Sequence, residues 1–140
     1  MPTGGTVFIT VTDGDKAAAT QLAASLHDLG FKIVATRGTA AAIKRMGIPV
    51  ETINKIQDGR NNVVDWIDRG GVDLVVNTPT GTAARSDGYE IRRAAIARGV
   101  ACITTIAGGM AAARAIASAR LGEPPVLSLQ ELHANGGVHA

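Results

Sequence analysis

Aromatic residues make up only 3% of this 140-residue sequence. The core must therefore be built from Ala, Val, Ile and Leu, and the chain offers few rings on which bases of single-stranded nucleic acid could stack. The excess of 14 Lys and Arg residues over 12 Asp and Glu residues is small and forms no basic stripe, so a duplex-binding surface is not indicated either. We expect no nucleic-acid partner.

Cysteine and long apolar runs are equally scarce. Cys102 is the only cysteine, so no disulfide can form within the chain, and its apolar surroundings favour a buried side chain over a reactive thiol. No apolar run approaches the ~18 residues of a membrane span, and no signal-peptide pattern is present. These absences predict a cytoplasmic protein with no membrane partner.

Short apolar segments alternate with longer segments of helical periodicity along the chain, whose length fits one domain. This alternation predicts an α/β fold, a three-layer doubly wound sandwich with a mainly parallel sheet of about five strands. We expect a single domain over residues 1–133 and a disordered tail over 134–140. Polar loops are predicted at 54–61 and 79–88, and Thr39 is predicted to cap the helix after the second strand. The predicted strands are TVFITVT, FKIVAT, VETI, VDLVVNT and VACITT.

Hydroxyl and amide side chains collect where four of these strands end. Nine of the thirteen threonines lie at these junctions, which is where doubly wound folds bind ligands. Any one of them could simply cap a helix, but several junctions carry two or three where a cap needs one. The residues concerned are Thr10, Thr12, Thr36, Thr39, Asn77, Thr78, Thr80, Thr82, Thr104 and Thr105.

Two of the four lysines, Lys16 and Lys55, also fall near strand ends. A lysine at a helix N-terminus opposes the helix dipole, which is more easily explained if an anion binds there. Hydroxyls, free backbone N–H groups and an ammonium group together are typical of a phosphate site, and Gly38 would let the backbone approach it closely. The predicted phosphate-binding residues are Lys16, Thr36, Gly38, Thr39, Lys55, Asn77, Thr78 and Thr80.

Signatures of catalysis and of metal binding are missing from the sequence. No GxxxxGK[ST] motif occurs, and no GxGxxG motif follows the first strand. The three histidines, His27, His133 and His139, have no metal-ligand spacing. We therefore predict no catalytic residue, no metal and no cofactor in this domain. Asp87 has two open interpretations, a cap of the following helix or an acceptor for a ribose hydroxyl.

Several segments resemble a known family, the C-terminal allosteric domain of the carbamoyl-phosphate synthase large subunit, which has the methylglyoxal-synthase-like fold. The resemblance runs from about residue 6 to residue 133 and rests on the order of GTA, NK…GR, NTP and IRR. It implies that the chain is a domain of a longer subunit. The segments are TVTDGDK, GFKIVATRGTA, GIPVETINKIQDGR, DLVVNTPTG, SDGYEIRRAAI and TTIAGGMAAARAI.

The resemblance implies a regulatory function. Such domains bind UMP or IMP, and the predicted phosphate residues match family positions that hold the phosphate or line its pocket. Asp87 matches an acidic position near the ribose, and Thr104 matches a position linked to ornithine. Pro79 departs from enteric relatives, which carry threonine there; proline removes a hydroxyl and a backbone N–H. Thr12 likewise replaces a basic residue of some relatives.

The implied parent is an ATP-dependent ligase that uses Mg or Mn and makes carbamoyl phosphate for pyrimidine and arginine biosynthesis. The resemblance implies two protein partners for this domain: the remainder of the large subunit and the small glutaminase subunit. Self-association of the chain stays open.

Three other functions compete with regulation. Methylglyoxal synthase, a lyase acting on dihydroxyacetone phosphate, needs a carboxylate base and carries His-Asp and Gly-Gly-Asp motifs that this sequence lacks. The cyclohydrolase domain of the bifunctional purine-biosynthesis enzyme has a related fold but needs a histidine segment that is also missing. A ligand-free subunit-interaction domain would bind no nucleotide at all.

Overall fold

The structure is a computed structural model. It describes residues 4–54, 61–78 and 81–122, with the backbone alone for 81–87. Within these ranges five strands form one sheet in the order β3-β2-β1-β4-β5, and every pair of neighbours is parallel. The strands are Thr6–Thr10 (β1), Lys32–Thr36 (β2), Glu51–Ile53 (β3), Leu74–Asn77 (β4) and Ala101–Ile103 (β5).

Helices cover both faces of the sheet. The helices are Lys16–Asp28 (α1), Arg37–Arg45 (α2), Val63–Asp68 (α3), Gly81–Ala97 (α4) and Ile106–Arg120 (α5), and a 3₁₀ turn, Asp13–Asp15, leads into α1. Residues of α1, α2 and α5 share one apolar cluster with one side of the sheet, and residues of α3 and α4 share a second cluster with the other side. The predicted three-layer α/β sandwich with a parallel sheet is confirmed.

The central strand β1 shows why the middle of the sheet is apolar. Val7 and Ile9 pack toward α1 and α5, whereas Phe8 packs toward α3 and α4, and all three are fully buried. Because successive side chains of a strand point to opposite faces, a strand covered on both sides needs apolar residues at every position.

The strand order reverses between β1 and β4. The chain moves from β1 to β2 and β3 on one side, and then crosses to β4 and β5 on the other. Two hydrogen bonds join the ends of β1 and β4: the Thr78 N–H donates to the Thr10 carbonyl (3.1 Å) and the Thr12 N–H donates to Thr78 Oγ1 (3.0 Å). Such a reversal point is where ligands bind in open α/β sheets.

Two regions of the fold differ from the prediction. The loop predicted at 79–88 is helical from Gly81 onward, because Ala83, Ala84 and Arg85 are strong helix formers that outweigh the flanking glycines. Asp87 therefore lies inside α4, and its interpretation as a helix cap is wrong as well.

The second correction concerns α2. This helix begins at Arg37, directly after β2, with Thr36 at the N-cap position in an extended conformation. Thr39 lies within the first turn and is not the cap, because its hydroxyl is engaged by the segment that follows β1.

No helix in the described part of the chain is long and apolar enough to cross a membrane. The predicted tail, 134–140, and most of the predicted loop 54–61 lie outside the described residues.

Candidate functional site

A row of polar side chains crosses the carboxyl edge of the sheet on the α3–α4 side. Thr10 pairs with Asn77, and Thr36 follows Ala35, the partner of Ile9. Two residues earlier in each strand the same face carries the core residues Phe8, Val34 and Val75. The polar row, Thr36–Thr10–Asn77, therefore lies directly above an apolar row.

Thr10 and Thr36 share a hydrogen bond between their hydroxyls, with 3.0 Å between the two Oγ1 atoms. Thr36 is 6% exposed. This partly buried hydrogen bond restrains both side chains, so the ends of β1 and β2 hold their hydroxyl oxygens close together.

The N-terminus of α2 adjoins this row and lacks a side-chain cap. Thr36 makes no capping bond, and the first turn of α2 contains no acidic residue. By contrast, Asn62 caps α3 through a capping box and Thr105 caps α5. The first N–H groups of a helix have no partner within it, so the start of α2 presents donors and a partial positive charge.

Lys16 brings a positive charge to this helix end. Its side chain is 23% exposed, and a Cβ atom built on Gly38 would lie 3.5 Å from Lys16 Cε and 3.7 Å from Nζ. Lys16 Nζ also contacts Asp13 Oδ1 at 2.5 Å, but the Asp13 side chain is 99% exposed. An ion pair with so exposed a carboxylate contributes little, so a bound anion could replace it at small cost.

Thr39 and Thr78 position the segment that follows β1. The Val11 N–H donates to Thr39 Oγ1 at 3.3 Å, and the Thr12 N–H donates to Thr78 Oγ1 at 3.0 Å. Both threonines are buried. Each hydroxyl accepts in these bonds, which leaves its proton able to donate to a further acceptor.

Asn77 is the unusual member of the polar row. It is 5% exposed, and its Nδ2 atom has no hydrogen-bond partner among the residues that the structure describes. A buried donor without a partner costs about 1–3 kcal/mol, and such groups are rare in folded proteins. The amide of Asn77 is therefore a donor that a ligand oxygen could satisfy.

Four of the predicted site residues gather around the start of α2 and the strand reversal: Lys16, Thr36, Gly38 and Thr39. Asn77 and Thr78 lie at the adjacent end of β4. Lys55, Thr80 and Pro79 lie outside the described residues, as does the side chain of Asp87. Thr104 follows β5 at the same edge of the sheet and is exposed.

Sequence reasoning missed Gly88 and Arg92 as neighbours of the site. The sequence indicates only that Arg92 and Arg93 lie on a helical surface. In the structure a Cβ atom at Gly88 would lie 3.2 Å from Asn77 Nδ2 and 3.2 Å from Arg92 Nη1. The four-residue spacing of Gly88 and Arg92 could have revealed this only if α4 had been recognised to begin before Gly88.

Cys102 lies on the same face of the sheet, beside Val75. Its partial burial raises the pKa of the thiol, and the nearby positive charge of Arg92 lowers it to a smaller extent. The guanidinium of Arg92 is therefore close enough to the sheet to act on a strand residue.

The described side chains of the site are mainly donors. Hydroxyls, an amide, an ammonium group and helix N–H groups can together hold an anion. The two nearby carboxylates are already engaged, since Asp13 contacts Lys16 and Asp15 accepts from Thr12 Oγ1 at 3.0 Å. Among the described residues no group of three His, Cys, Asp or Glu side chains could hold a metal ion.

The profile of one protein family, described as the MGS-like domain, matches residues 18–104. The chain belongs to the MGS-like domain family.

Curated relatives of this MGS-like domain are large chains of carbamoyl phosphate synthase. The chain is 49% identical over 133 residues to the one from Gemmatimonas aurantiaca, covering 95% of this chain and 12% of that protein. It is 45% identical over 135 residues to the "large chain, C-terminal section" of Methanocaldococcus jannaschii, covering 96% and 22%. The MGS-like domain thus spans about an eighth to a fifth of these relatives, and its predicted resemblance to their C-terminal domain is confirmed.

The fold of the MGS-like domain is similar to that of a solved structure, methylglyoxal synthase from Elizabethkingia anophelis. The TM-score is 0.65 at 16% sequence identity, over 81% of this chain and 79% of that one. The similarity confirms the predicted methylglyoxal-synthase-like fold.

Proposed function

We propose that this MGS-like domain is a regulatory domain, that it binds a nucleoside monophosphate such as UMP or IMP, and that residues 1–133 form this one unit. Its relatives are named as large chains of carbamoyl phosphate synthase, of which it matches a small part. A domain of this size attached to a large ligase is suited to sensing a small molecule rather than to performing the ligation.

The observation that carries the proposal is the uncapped start of α2 beneath Lys16. Free N–H groups at Gly38 and its neighbours, the Lys16 ammonium group and the Thr36 hydroxyl are the donors of a phosphate site. These groups are all hydrogen-bond donors, and none is a carboxylate or an imidazole of the kind that serves as a general base. The site is therefore suited to holding a phosphate group without chemical change.

In the proposed complex the phosphate group lies at the start of α2 and the nucleoside extends along the polar row toward α4. Lys55 and Thr80, which follow β3 and β4 in sequence, would complete the phosphate contacts together with Asn77 and Thr78. Asp87 would lie on the ribose side. Thr104, exposed beyond β5, would serve an ornithine-linked contact with a neighbouring domain.

Regulation would act through the rest of the large subunit. An effector changes activity only by binding two states of the whole protein with different affinity, and typical coupling energies are about 1–3 kcal/mol. We infer that the segment 54–62 or the segment 79–88 changes its packing against the neighbouring domain. The regulated activity would be the ATP- and Mg- or Mn-dependent synthesis of carbamoyl phosphate, with the small glutaminase subunit as a partner, in the cytoplasm.

Isothermal titration calorimetry of the chain with UMP, IMP and inorganic phosphate tests the proposal. We expect saturable binding of at least one nucleotide, competition by inorganic phosphate, and no release of phosphate from dihydroxyacetone phosphate. An interaction domain without a ligand would give no heat with any of the three. Release of phosphate from dihydroxyacetone phosphate would instead indicate a lyase.

A further inference from the structure

The end of α5 is fixed beside a groove at the end of the sheet where the strands begin. The Arg120 guanidinium donates to the Leu29 carbonyl and lies 5.6 Å from the centre of the Phe31 ring. Gly122, with a φ of +77°, adopts the left-handed conformation that commonly ends a helix. The chain therefore leaves α5 next to the turn that joins α1 to β2.

The groove begins at the same aromatic ring. It has a volume of about 390 Å³ and lies between the last turn of α1 and the starts of β2 and β3. Its apolar lining consists of Phe31, Ile33, Pro49 and Val50. Phe31 and Ile33 are almost fully buried, whereas Pro49 is exposed and Val50 is half-buried. The floor of the groove is thus part of the core, and its outer wall is an apolar surface that the described residues leave uncovered.

The rim of the groove carries more positive than negative charge. Lys32 and Glu51, which both line the groove, form an ion pair at 2.9 Å, and both side chains are about half exposed. Arg120 adds a further positive charge beside Phe31, and Glu51 is the one carboxylate among the described residues that line the groove. Such a rim suits an apolar segment that carries an acidic residue and no basic one.

The sequence that follows α5 has this composition. Residues 123–140, which lie outside the described residues, contain two glutamates and neither lysine nor arginine. Leu127 is five residues beyond Gly122, a reach of up to about 17 Å in an extended chain. Because Phe31 borders both the end of α5 and the groove, the segment can reach the groove. Its large apolar residues lie within 126–132 and are Val126, Leu127, Leu129 and Leu132.

We propose that residues 126–132 bind in this groove of their own chain, with their apolar side chains over Pro49 and Val50 and the Glu131 carboxylate at the basic rim. A segment tethered beside its binding surface has a high effective concentration there, which favours it over a separate partner. The inference goes beyond the proposed ligand site and does not rest on it, since the groove lies at the opposite end of the strands. It also gives a physical reason for a unit that extends to residue 133.

Paramagnetic relaxation enhancement tests the proposal on the whole chain. A nitroxide is attached to Gln130→Cys in a Cys102→Ala background, so that it reacts at one position only. The amide NMR signals of Ile33 and Val50 should lose most of their intensity, whereas that of Gly38, at the other end of the strands, should keep it. Unchanged signals at the groove would overturn the proposal.

Two controls define the occupant of the groove. A nitroxide at Val138→Cys, beyond the bound residues, should broaden the signals of Ile33 and Val50 much less, and equal broadening from both positions would mean that the segment lies near the groove without binding in it. In a mixture of isotope-labelled chains without nitroxide and nitroxide-labelled chains without isotope, the groove signals should stay unchanged. Broadening in that mixture would show that a second copy fills the groove, which would contradict binding within one chain.

Leu129→Asp provides an independent measurement. A carboxylate is unfavourable in an apolar groove, so the midpoint of thermal unfolding should fall by about 4 °C. Val138→Asp is the matched control, because it adds the same charge to the same segment outside the bound part, and it should leave the midpoint unchanged. An unaltered midpoint in Leu129→Asp would count against the proposal.

Calorimetry with UMP separates this inference from the proposed function. Leu129→Asp should bind UMP as the unaltered chain does, because the groove and the start of α2 lie at opposite ends of the strands. Absence of UMP binding by the unaltered chain would refute the proposed function and leave the nitroxide result, and with it the bound segment, intact.

Discussion

The two ends of the parallel strands differ in how their polar groups are bonded. We call the side where the strands begin the amino edge and the side where they end the carboxyl edge. At the amino edge the Thr6 N–H donates to Asp73 Oδ2 at 2.8 Å, and the Asp73 N–H returns a bond to the Thr6 carbonyl at 2.8 Å. The Arg120 guanidinium donates to the Leu29 carbonyl and lies over the ring of Phe31. At the carboxyl edge α2 has no side-chain cap, and the buried amide of Asn77 has no partner among the described residues.

This contrast distinguishes the amino edge, which stabilises the fold, from the carboxyl edge, which carries the candidate site. The polar groups just named at the amino edge bond to other parts of the chain, so their contribution is to stability. Polar groups at the carboxyl edge have fixed positions but keep hydrogen-bond donors that have no acceptor among the described residues. Unsatisfied donors lower stability, and their presence is explained if a ligand accepts hydrogen bonds from them. Variants at the two edges should therefore have opposite effects on folding and on binding.

The largest expected effect is on affinity at the carboxyl edge. Lys16→Ala should weaken UMP binding about 10- to 100-fold, because a charged hydrogen bond contributes about 1.5–3 kcal/mol. The free energy of unfolding should hardly change, since the partner of Lys16 is an exposed carboxylate. Calorimetry and urea denaturation measure the two quantities.

Lys44→Ala is the matched control for Lys16→Ala. Lys44 lies in the last turn of the same helix, α2, and contacts Thr52 at 3.3 Å. Removing its charge should leave UMP affinity unchanged. Equal losses in the two variants would mean that net charge, and not the start of α2, governs binding.

The next prediction is a core substitution that should raise stability, whereas most core substitutions lower it. Asn77→Leu replaces an unsatisfied buried amide by an apolar group of similar size, so the ligand-free chain should become more stable by about 1 kcal/mol. UMP binding should weaken at the same time. Urea denaturation without ligand is the measurement, and a loss of stability would show that the amide is already satisfied within the chain.

A change at the amino edge should do the opposite. Asp73→Ala removes the acceptor of the Thr6 N–H and should lower the free energy of unfolding by about 1 kcal/mol. UMP affinity should not change, because the altered bond is at the far edge of the sheet. A fall in affinity comparable to that of Lys16→Ala would contradict the division between the two edges.

The smallest effect concerns Cys102. Burial raises its thiol pKa above the unfolded value, and Arg92 opposes this shift only in part. The folded state therefore holds the thiol proton more tightly, so stability is fully present below the unfolded pKa of about 8.5 and declines as pH rises above it. Alkylation by iodoacetamide should be slower in the folded chain than in urea, and Arg92→Gln should slow it further.

The overall fold was predictable because its signal is repeated. Four of the five strands are mainly apolar segments that alternate with helical ones, and a parallel sheet follows from that alternation. The gathering of Thr36, Thr39 and Asn77 at one edge followed from the same logic, since parallel strands end on one side of their sheet.

The parts that could not be predicted depend on contacts between distant segments. The start of α4 at Gly81 was missed because Gly81 and Gly88 read locally as loop residues. The role of Thr39 was misassigned because its partner, the Val11 N–H, lies 28 positions away in the chain. The unsatisfied amide of Asn77 is visible only when every neighbour is known, since the sequence shows an asparagine but not what surrounds it.

Backbone amide NMR of the chain during titration with UMP locates the phosphate group independently of any mutation. If the phosphate is held at the start of α2, the amide signals of Gly38 and Thr39 should shift strongly and saturate with UMP, while those of Thr6 and Asp73 at the amino edge stay in place. Signals that move only at the amino edge, or that do not move at all, would contradict a phosphate site at the start of α2.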